Sequence, residues 1–237
     1  MNAAAHDIVF LLDVDNTLLD NDRVIADLRL HLVRELGPAH ADRYWAILEE
    51  LRNALGYVDY LGALQHFRID AELGRIDDSR LLQLSSFLVD YPFAERLYLG
   101  ALEVIRQLTG WGPTVLLSDG DVVFQPLKVQ RSGLWQAVSG RVLVFTHKEE
   151  MLERVQHHYP ARHYVMVDDK LRILAVMKAA LLDRMTTVFA RQGHYALDPA
   201  NVAAYPAADL SIASIGELRA TELQSLLMST AGLRGPA

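Results

Sequence analysis

Short apolar runs and stretches of helical spacing alternate along most of the chain, and their order predicts the elements of the fold. Residues 8–12 form an apolar run that is rich in branched side chains and too short for a typical helix. Such a run is typical of a strand that is buried on both faces of a parallel sheet. Similar runs follow and predict four more strands, at 114–117, 142–145, 164–167 and 186–189.

The segments around these later runs have helical spacing. Leu102, Ile105 and Leu108 indicate one face of a helix that ends near Gly110. Further helices are predicted at 123–130, 149–158, 171–182 and 215–228, with an exit loop at 191–195 and a frayed end at 229–237. Strands that alternate with helices pair in parallel through right-handed crossovers, so we predict a doubly wound core of three layers.

Residues 20–97 have a different pattern, because helical periodicity continues there with no strand between the helices. Asp22 is suited to cap the first helix, whose apolar positions are Val24, Leu28, Leu32 and Leu36. Three more helices are predicted, from about 39 to 55, at 60–67 and at 79–88. We therefore predict an α/β fold with a Rossmann-like parallel sheet at 1–19 and 98–237, and a small α-helical cap domain inserted at 20–97.

The composition narrows the class of protein. The chain has 237 residues, of which 51% are hydrophobic and 22% charged, as in ordinary globular proteins. Its formal net charge of -7 disfavours a broad surface for nucleic acid or for an anionic membrane. The absence of cysteine excludes disulfides, zinc–thiolate sites and a cysteine nucleophile. The first residues lack the pattern of a signal peptide and no apolar run reaches membrane-spanning length, so we expect a soluble, cytoplasmic protein.

Four of the five predicted strands end in residues with useful chemistry. The carboxyl ends of parallel strands meet at one edge of a sheet, where α/β proteins bind ligands. The side chains expected to meet there are Asp13, Asp15, Ser118, Lys148, Asp168 and Asp169. Each strand end alone is weak evidence, because polar residues are common where a strand enters a loop. Together the four ends indicate a single site.

The first pair, Asp13 and Asp15, has two interpretations. It can be a turn in which Asp and Thr side chains bind the local backbone. It can also be a metal site, because two carboxylates beside an apolar strand repel each other and need a cation to compensate them. A calcium loop of the EF-hand type is disfavoured, since Leu18 occupies the position that requires glycine and a strand precedes the motif.

The residue types at the strand ends are those that phosphoryl transfer requires. A carboxylate can attack phosphorus and form an aspartyl-phosphate, while a second carboxylate exchanges protons with the leaving oxygen and with water. A metal neutralises charge between the nucleophile and an anionic substrate. A hydroxyl and an ammonium can hold the remaining phosphoryl oxygens.

The motifs Asp13-x-Asp15-x-Thr17, Ser118, Lys148 and Asp168-Asp169 follow one another in this order at strand ends. In this respect the chain resembles the haloacid dehalogenase superfamily of hydrolases. The similarity covers residues 7 to about 195, and the helical insertion after the first motif is similar to the superfamily's cap.

The resemblance implies a role for each motif residue. Asp13 would be the nucleophile, Asp15 the general acid/base with its backbone carbonyl facing the metal, and Thr17 a support for the loop. Ser118 would donate to a phosphoryl oxygen, and Lys148 would hold the nucleophile and the phosphoryl group. Mg²⁺ would be bound by Asp13, Asp15, Asp169 and Asp168. Which of Asp168 and Asp169 contacts the metal directly stays open.

We therefore predict an enzyme, an Mg²⁺-dependent phosphatase of a small phosphorylated metabolite. The dehalogenating branch of the superfamily attacks carbon and does not need the second acid, so Asp15 favours phosphate chemistry. The alternatives are a phosphotransferase or mutase, a dehalogenase, and a non-catalytic binding module on the same fold. No nucleic-acid or membrane partner is expected, and the oligomeric state stays open.

Four further residues are weaker candidates. His194 follows the fifth strand and is a candidate substrate contact, although a loop histidine is more often solvated. Trp45, Tyr57 and Tyr60 of the insertion are candidates for lining a substrate pocket, with packing in a core as the alternative.

Overall fold

A six-stranded parallel sheet lies at the centre of the protein, in a computed structural model that describes residues 5–70, 78–218, 223–225 and 227–228. The strands are β1 (His6–Leu12), β2 (Thr114–Asp119), β3 (Val142–Phe145), β4 (Ala161–Asp168), β5 (Met185–Ala190) and β6 (Leu210–Ile212). Their order is β3-β2-β1-β4-β5-β6, and every neighbouring pair is parallel. The predicted Rossmann-like α/β sheet is confirmed, and each predicted strand lies within an observed one.

Helices cover both faces of this sheet. They are α1 (Asn21–Leu36), α2 (Pro38–Leu55), α3 (Tyr60–Ile69), α4 (Asp78–Asp90), α5 (Ala101–Thr109), α6 (Phe124–Arg131), α7 (Leu134–Ala137), α8 (Leu152–His158), α9 (Leu171–Leu181), α10 (Gly193–Leu197) and α11 (Pro199–Ala203). Alternate residues of β1 face opposite sides. Phe10 and Leu12 pack in a buried cluster with α5 and α6, whereas Val9 and Leu11 pack in a second cluster with α8 and α9. Within the described residues, no helix is both long and apolar enough to cross a membrane.

Helices α1 to α4 form the helical insertion between β1 and α5, where they pack on one another. The chain enters and leaves the insertion through two paired segments. The backbone N–H of Asp20 donates to the carbonyl of Arg96 at 2.7 Å, and that of Tyr98 donates to Leu18 at 2.9 Å. The two connections therefore lie side by side, directly after the first motif.

The insertion and the sheet share one apolar cluster. Phe124 of α6 packs against Tyr60 and Phe93, with ring centres 5.3 and 5.9 Å apart. These contacts hold the insertion against the helix that follows β2. The division of the chain into a core domain and a cap domain stays a prediction.

The cap of α1 is one local prediction that is wrong. Asp20 caps the helix, because its side chain accepts a hydrogen bond from the N–H of Arg23 at 2.9 Å. Asp22 lies inside the first turn, where its carboxylate is engaged by Asn16 and His194 instead.

The predicted inner face of α5 also needs correction. Leu102 is 45% exposed, whereas Ala101, Val104, Ile105 and Leu108 are buried. The spacing of these four residues places Leu102 one position off the buried face.

The predicted exit loop at 191–195 contains the start of α10. Gly193 has a φ of 70°, and a Cβ at this position would lie 2.5 Å from the side chain of Asn16. Only glycine combines this backbone conformation with such a close approach. The segment therefore packs directly against the loop of the first motif.

The remaining differences lie in short elements. Strand β6 was not predicted, and the helix predicted at 149–158 is a 3₁₀ turn, Lys148–Glu150, followed by α8. Of the helix predicted at 215–228, Ile215–Glu217 form a 3₁₀ turn, and 223–225 and 227–228 are helical. Residues 219–222 and 226, and the end predicted to fray at 229–237, lie outside the described residues.

Candidate active site

Lys148 joins the ends of three strands. Its ammonium lies 2.5 Å from Oδ1 of Asp13, at the end of β1, and 2.7 Å from Oδ2 of Asp168, at the end of β4. It also donates to the carbonyl of Leu117 in β2 at 3.3 Å, and the whole residue is buried. Burial alone would lower the pKa of Lys148, but the carboxylates of Asp13 and Asp168 outweigh it and raise the pKa, so the ammonium stays charged.

Asp13, Asp168 and Asp169 form a buried cluster of carboxylates. One oxygen from each lies within 4.8 Å of the others, which is a spacing that could hold a metal ion. Oδ2 of Asp13 and both carboxylate oxygens of Asp169 are buried and have no hydrogen-bond partner within the part of the chain that the structure describes. Buried polar atoms are almost always paired in proteins, so the two orphaned oxygens of Asp169 need a cation. Three carboxylates and no nitrogen or sulfur ligand fit a hard divalent ion such as Mg²⁺.

The two adjacent acids of the fourth motif differ in their contacts. Asp168 accepts a hydrogen bond from the backbone N–H of Lys170 at 2.8 Å and faces Lys148. Both oxygens of Asp169 lack such partners. Burial and the neighbouring carboxylates of Asp168 and Asp13 raise the pKa of Asp169 well above its usual value. Asp169 is thus the acid that gains most from a bound cation.

The side chain of Asp15 lies apart from this cluster. Its two oxygens are 2.7 and 2.8 Å from the ammonium of Lys128, which is buried and also contacts Asn21 at 3.0 Å. The predicted contact of the Asp15 backbone carbonyl with a metal stays a prediction. The sequence analysis did not predict Lys128, because a lysine on a helix is usually solvated. The available signal was its position one turn after Gln125, on the helix that follows Ser118.

Ser118 and Asp119 close the side of the site at β2. Ser118 is buried, and its hydroxyl oxygen accepts a hydrogen bond from Nε2 of Gln125 at 2.8 Å. Asp119 accepts the backbone N–H of Lys148 at 2.7 Å, which fixes the start of the loop after β3. Burial raises the pKa of Asp119.

Thr17 belongs to the loop that follows Asp15. The residue is buried, and its carbonyl accepts a hydrogen bond from Nε2 of Gln192 at 3.2 Å. The preceding residue, Asn16, has a φ of 61° and bonds Asp22 through its side chain. The loop is thus held from two sides, and the supporting role predicted for Thr17 stays a prediction.

A cavity of about 540 Å³ lies between the insertion and the carboxyl edge of the sheet. Its walls include Asp15, Lys128, Lys170, Arg52, Tyr57 and Tyr60. Two of the three aromatic candidates from the insertion therefore border the cavity. The third, Trp45, instead packs under the guanidinium of Arg29, 4.6 Å from the ring centre.

His194 also borders the cavity, at the start of α10. Its Nδ1 lies 2.6 Å from Asp22, and its backbone N–H donates to the same carboxylate at 2.7 Å. Its ring packs on Tyr195, whose hydroxyl accepts a long hydrogen bond of 3.4 Å from Arg52 of the insertion. His194 is therefore tied to the first turn of α1, and a contact with substrate stays a prediction.

A doubly wound parallel sheet with clustered acids and a buried lysine at its carboxyl edge defines the class as a Rossmann-like α/β protein with a candidate catalytic centre. The comparison with solved structures then gives the family. A haloacid dehalogenase-like hydrolase from Burkholderia xenovorans is 62% identical over 90% of this chain and 95% of its own, with a TM-score of 0.82. The chain therefore belongs to the haloacid dehalogenase-like (HAD-like) hydrolases.

More distant structures share the fold. The HAD-hydrolase YfnB from Bacillus subtilis, bound to magnesium, is 17% identical over 94% of this chain and 99% of its own, with a TM-score of 0.57. L-2-haloacid dehalogenase from Xanthobacter autotrophicus is 16% identical over 89% of this chain and 96% of its own, with a TM-score of 0.55. No family model and no curated protein matches the chain.

Proposed function

We propose that this HAD-like hydrolase is an Mg²⁺-dependent phosphatase that cleaves a small phosphomonoester through an aspartyl-phosphate on Asp13. The observation that carries the proposal is the asymmetry of the Asp13 carboxylate. Lys148 holds Oδ1 at 2.5 Å, whereas Oδ2 has no hydrogen-bond partner among the described residues. A carboxylate that is fixed through one oxygen can present the other to phosphorus in a defined direction.

The other residues supply proton transfer and charge. In the first step Oδ2 of Asp13 bonds to phosphorus, the bond from phosphorus to the ester oxygen breaks, and Asp15 gives that oxygen a proton. In the second step Asp15 takes a proton from water and the water oxygen bonds to phosphorus. The bond from phosphorus to Oδ2 of Asp13 breaks, which releases inorganic phosphate and restores the Asp13 carboxylate. The Ser118 hydroxyl and the Lys148 ammonium donate hydrogen bonds to the phosphoryl oxygens and stabilise the negative charge on them in the transition state.

The carboxylates of Asp13, Asp168 and Asp169 would hold Mg²⁺, with Asp169 as a direct ligand. When bound, the ion neutralises charge between Asp13 and the phosphoryl group. The magnesium in YfnB supports this choice of metal for the shared fold. Lys170 is a further cation beside the cluster. Burial lowers its pKa, but the carboxylates of Asp13 and Asp169 outweigh burial and raise the pKa, so Lys170 stays charged.

The phosphatase proposal is favoured over a dehalogenase by Asp15. Attack on a carbon–halogen bond releases a halide, which needs no proton, whereas an ester oxygen does. In this chain the second acid borders the cavity and is held by a buried lysine. The likeness to L-2-haloacid dehalogenases concerns the fold alone at 16% identity.

The test is a screen of phosphorylated metabolites with Mg²⁺ or with EDTA, run beside Asp13→Asn. We expect phosphate release by the wild type only with metal, and none by the variant, because an amide cannot form the aspartyl-phosphate. Thermal unfolding of both proteins controls for folding. A parallel assay for halide release from 2-haloacids tests for dehalogenation. Turnover of 2-haloacids without turnover of any phosphomonoester would contradict the proposal.

A further inference from the structure

Lys128 is fully engaged by the first motif and the insertion. The residue is 1% exposed. An ammonium has three N–H donors, and here they face Oδ1 of Asp15 at 2.7 Å, Oδ2 of Asp15 at 2.8 Å and Oδ1 of Asn21 at 3.0 Å. Contact with both oxygens fixes the rotation of the Asp15 carboxylate. The Asp15 side chain keeps 26% of its surface exposed, which leaves lone pairs that face the cavity.

Gln125 orients Ser118 in the same way that Lys128 orients Asp15. Its Nε2 donates to the Ser118 hydroxyl oxygen at 2.8 Å and lies 3.4 Å from Oδ2 of Asp15. The hydroxyl oxygen is thus used as an acceptor, and its own donor has only a long contact of 3.4 Å with the carbonyl of Asp119. Among the described residues the Ser118 O–H thus has only this long contact, which leaves it available to a phosphoryl oxygen.

Gln125 and Lys128 lie one turn apart on the same face of α6, and this helix is held by the insertion. Phe124 packs against Tyr60 of α3 with ring centres 5.3 Å apart. The side chain of Tyr60 also faces Asn21, the first residue of α1 and a partner of Lys128. A continuous set of contacts therefore runs from the insertion to the carboxylate of Asp15.

We propose that Gln125 and Lys128 are positioning residues of the reaction, Lys128 for proton delivery by Asp15 and Gln125 for the hydrogen bond that Ser118 donates to the phosphoryl group. The proposal rests on the proposed phosphatase function. It assigns the two residues no contact with the reacting atoms. Their effect passes through the orientation of Asp15 and Ser118, and the packing of Phe124 of α6 on Tyr60 links that orientation to the insertion.

The test for Lys128 uses leaving groups that differ in their need for a proton. Phenyl phosphate and 4-nitrophenyl phosphate have closely related shapes, but 4-nitrophenolate leaves readily without protonation. We expect Lys128→Met to lower kcat/KM for phenyl phosphate about 10-fold more than for 4-nitrophenyl phosphate, since general acid catalysis contributes about 10²-fold or more. Lys128→Arg, which keeps the charge and the donors, should recover part of the lost selectivity.

Arg131→Met is the matched control, because it removes a half-exposed cation from the same helix, where Arg131 pairs with Asp90. It should leave the ratio of the two kcat/KM values unchanged. A structural role for Lys128 would lower kcat/KM for both esters equally, and this result would overturn its positioning role. Wild-type protein that cleaves neither ester nor any phosphorylated metabolite with Mg²⁺ would overturn both the proposed function and this inference.

The test for Gln125 is a double-mutant cycle with Ser118. Gln125→Leu and Ser118→Ala should each lower kcat/KM for both esters, and the double variant should be no worse than Ser118→Ala alone, because Gln125 acts through Ser118. Additive losses in the double variant would contradict the role assigned to Gln125. This cycle removes no charge, so it remains informative if Lys128→Met fails to fold.

Discussion

The charges of a few buried carboxylates determine how a bound cation would change the stability of the proposed metal site. Asp169 has two oxygens without a hydrogen-bond partner, and Asp13 has one. In the metal-free protein these acids repel one another in a region closed to water. An unpaired buried charge costs more than any hydrogen bond in the site contributes.

Asp169→Asn tests whether an unpaired carboxylate destabilises the metal-free protein. Without metal, we expect the variant to be more stable than the wild type by about 1–3 kcal/mol at pH 8, because its amide is neutral at any pH, whereas Asp169 must take up a proton on folding to avoid a buried charge. With Mg²⁺ the order should reverse, since the wild type gains stability from binding and the variant loses a ligand. Urea unfolding with EDTA and with Mg²⁺ measures both effects, and an identical gain from Mg²⁺ in the two proteins would remove Asp169 from the metal site.

The residues of the site differ in how far the sequence predicted them. Asp13, Lys148 and Asp168 meet as expected, because each lies at or just after the end of a parallel strand, and those ends share an edge. Gln125 and Lys128 were missed because they lie on a helix. Polar residues on a helix are usually solvated, and which helical face points to the sheet depends on packing that periodicity does not give.

At the scale of elements, the central strands were predictable because each is a continuous apolar run. Strand β6 has three residues and lies at the edge of the sheet, so Leu210–Ile212 give no such signal. The cap of α1 was misplaced by two residues, because Asp20 and Asp22 are chemically equal candidates. Only the backbone path into the helix distinguishes them.

Helix α2 forms the wall of the cavity opposite the sheet through Arg52. Among the described residues, its guanidinium makes only long contacts, at 3.4 Å to Tyr195 and 3.6 Å to Glu49. By comparison, Arg43 on the same helix lies 2.6 Å from Asp70. Arg52 therefore has donors to spare for an anionic group in the cavity.

Arg52→Met tests whether this helix contributes to substrate binding. For a phosphomonoester with a second anionic group, we expect KM to rise about 10-fold with little change in kcat, as for the loss of one charge-assisted hydrogen bond. Arg34→Met, which removes an exposed arginine paired with Glu35 on α1, is the matched control. Unchanged KM values for every anionic substrate tried would show that Arg52 is a surface residue only.

At the scale of the whole molecule, the buried acids couple stability to pH. Burial and neighbouring carboxylates raise the pKa of Asp168 and of Asp169 in the folded protein. The folded state therefore holds more protons than the unfolded state above about pH 4, the ordinary pKa of aspartate, and its stability falls as pH rises through the raised pKa values.

We accordingly expect the metal-free wild type to lose stability relative to Asp169→Asn as the pH rises from about 4 to the raised pKa of Asp169, about 9. Saturating Mg²⁺ should abolish this loss, because the bound ion favours the ionised carboxylates. The measurement is the difference in unfolding free energy between the two proteins at each pH. A difference that is constant with pH in EDTA would contradict the raised pKa of Asp169.

The place of β1 within the sheet has a consequence for biosynthesis. Leu12 lies beside Leu116 on one side and Val167 on the other, so its neighbours are made about 100 and about 150 residues later. At 5–20 residues per second, the edges of the nascent β1 stay unpaired for a time on the order of 10 s, while α1 to α4 can already form from local contacts. The helical insertion, which shares a buried apolar cluster with Phe10 and Leu12, is thus available to contact β1 before β4 is synthesised.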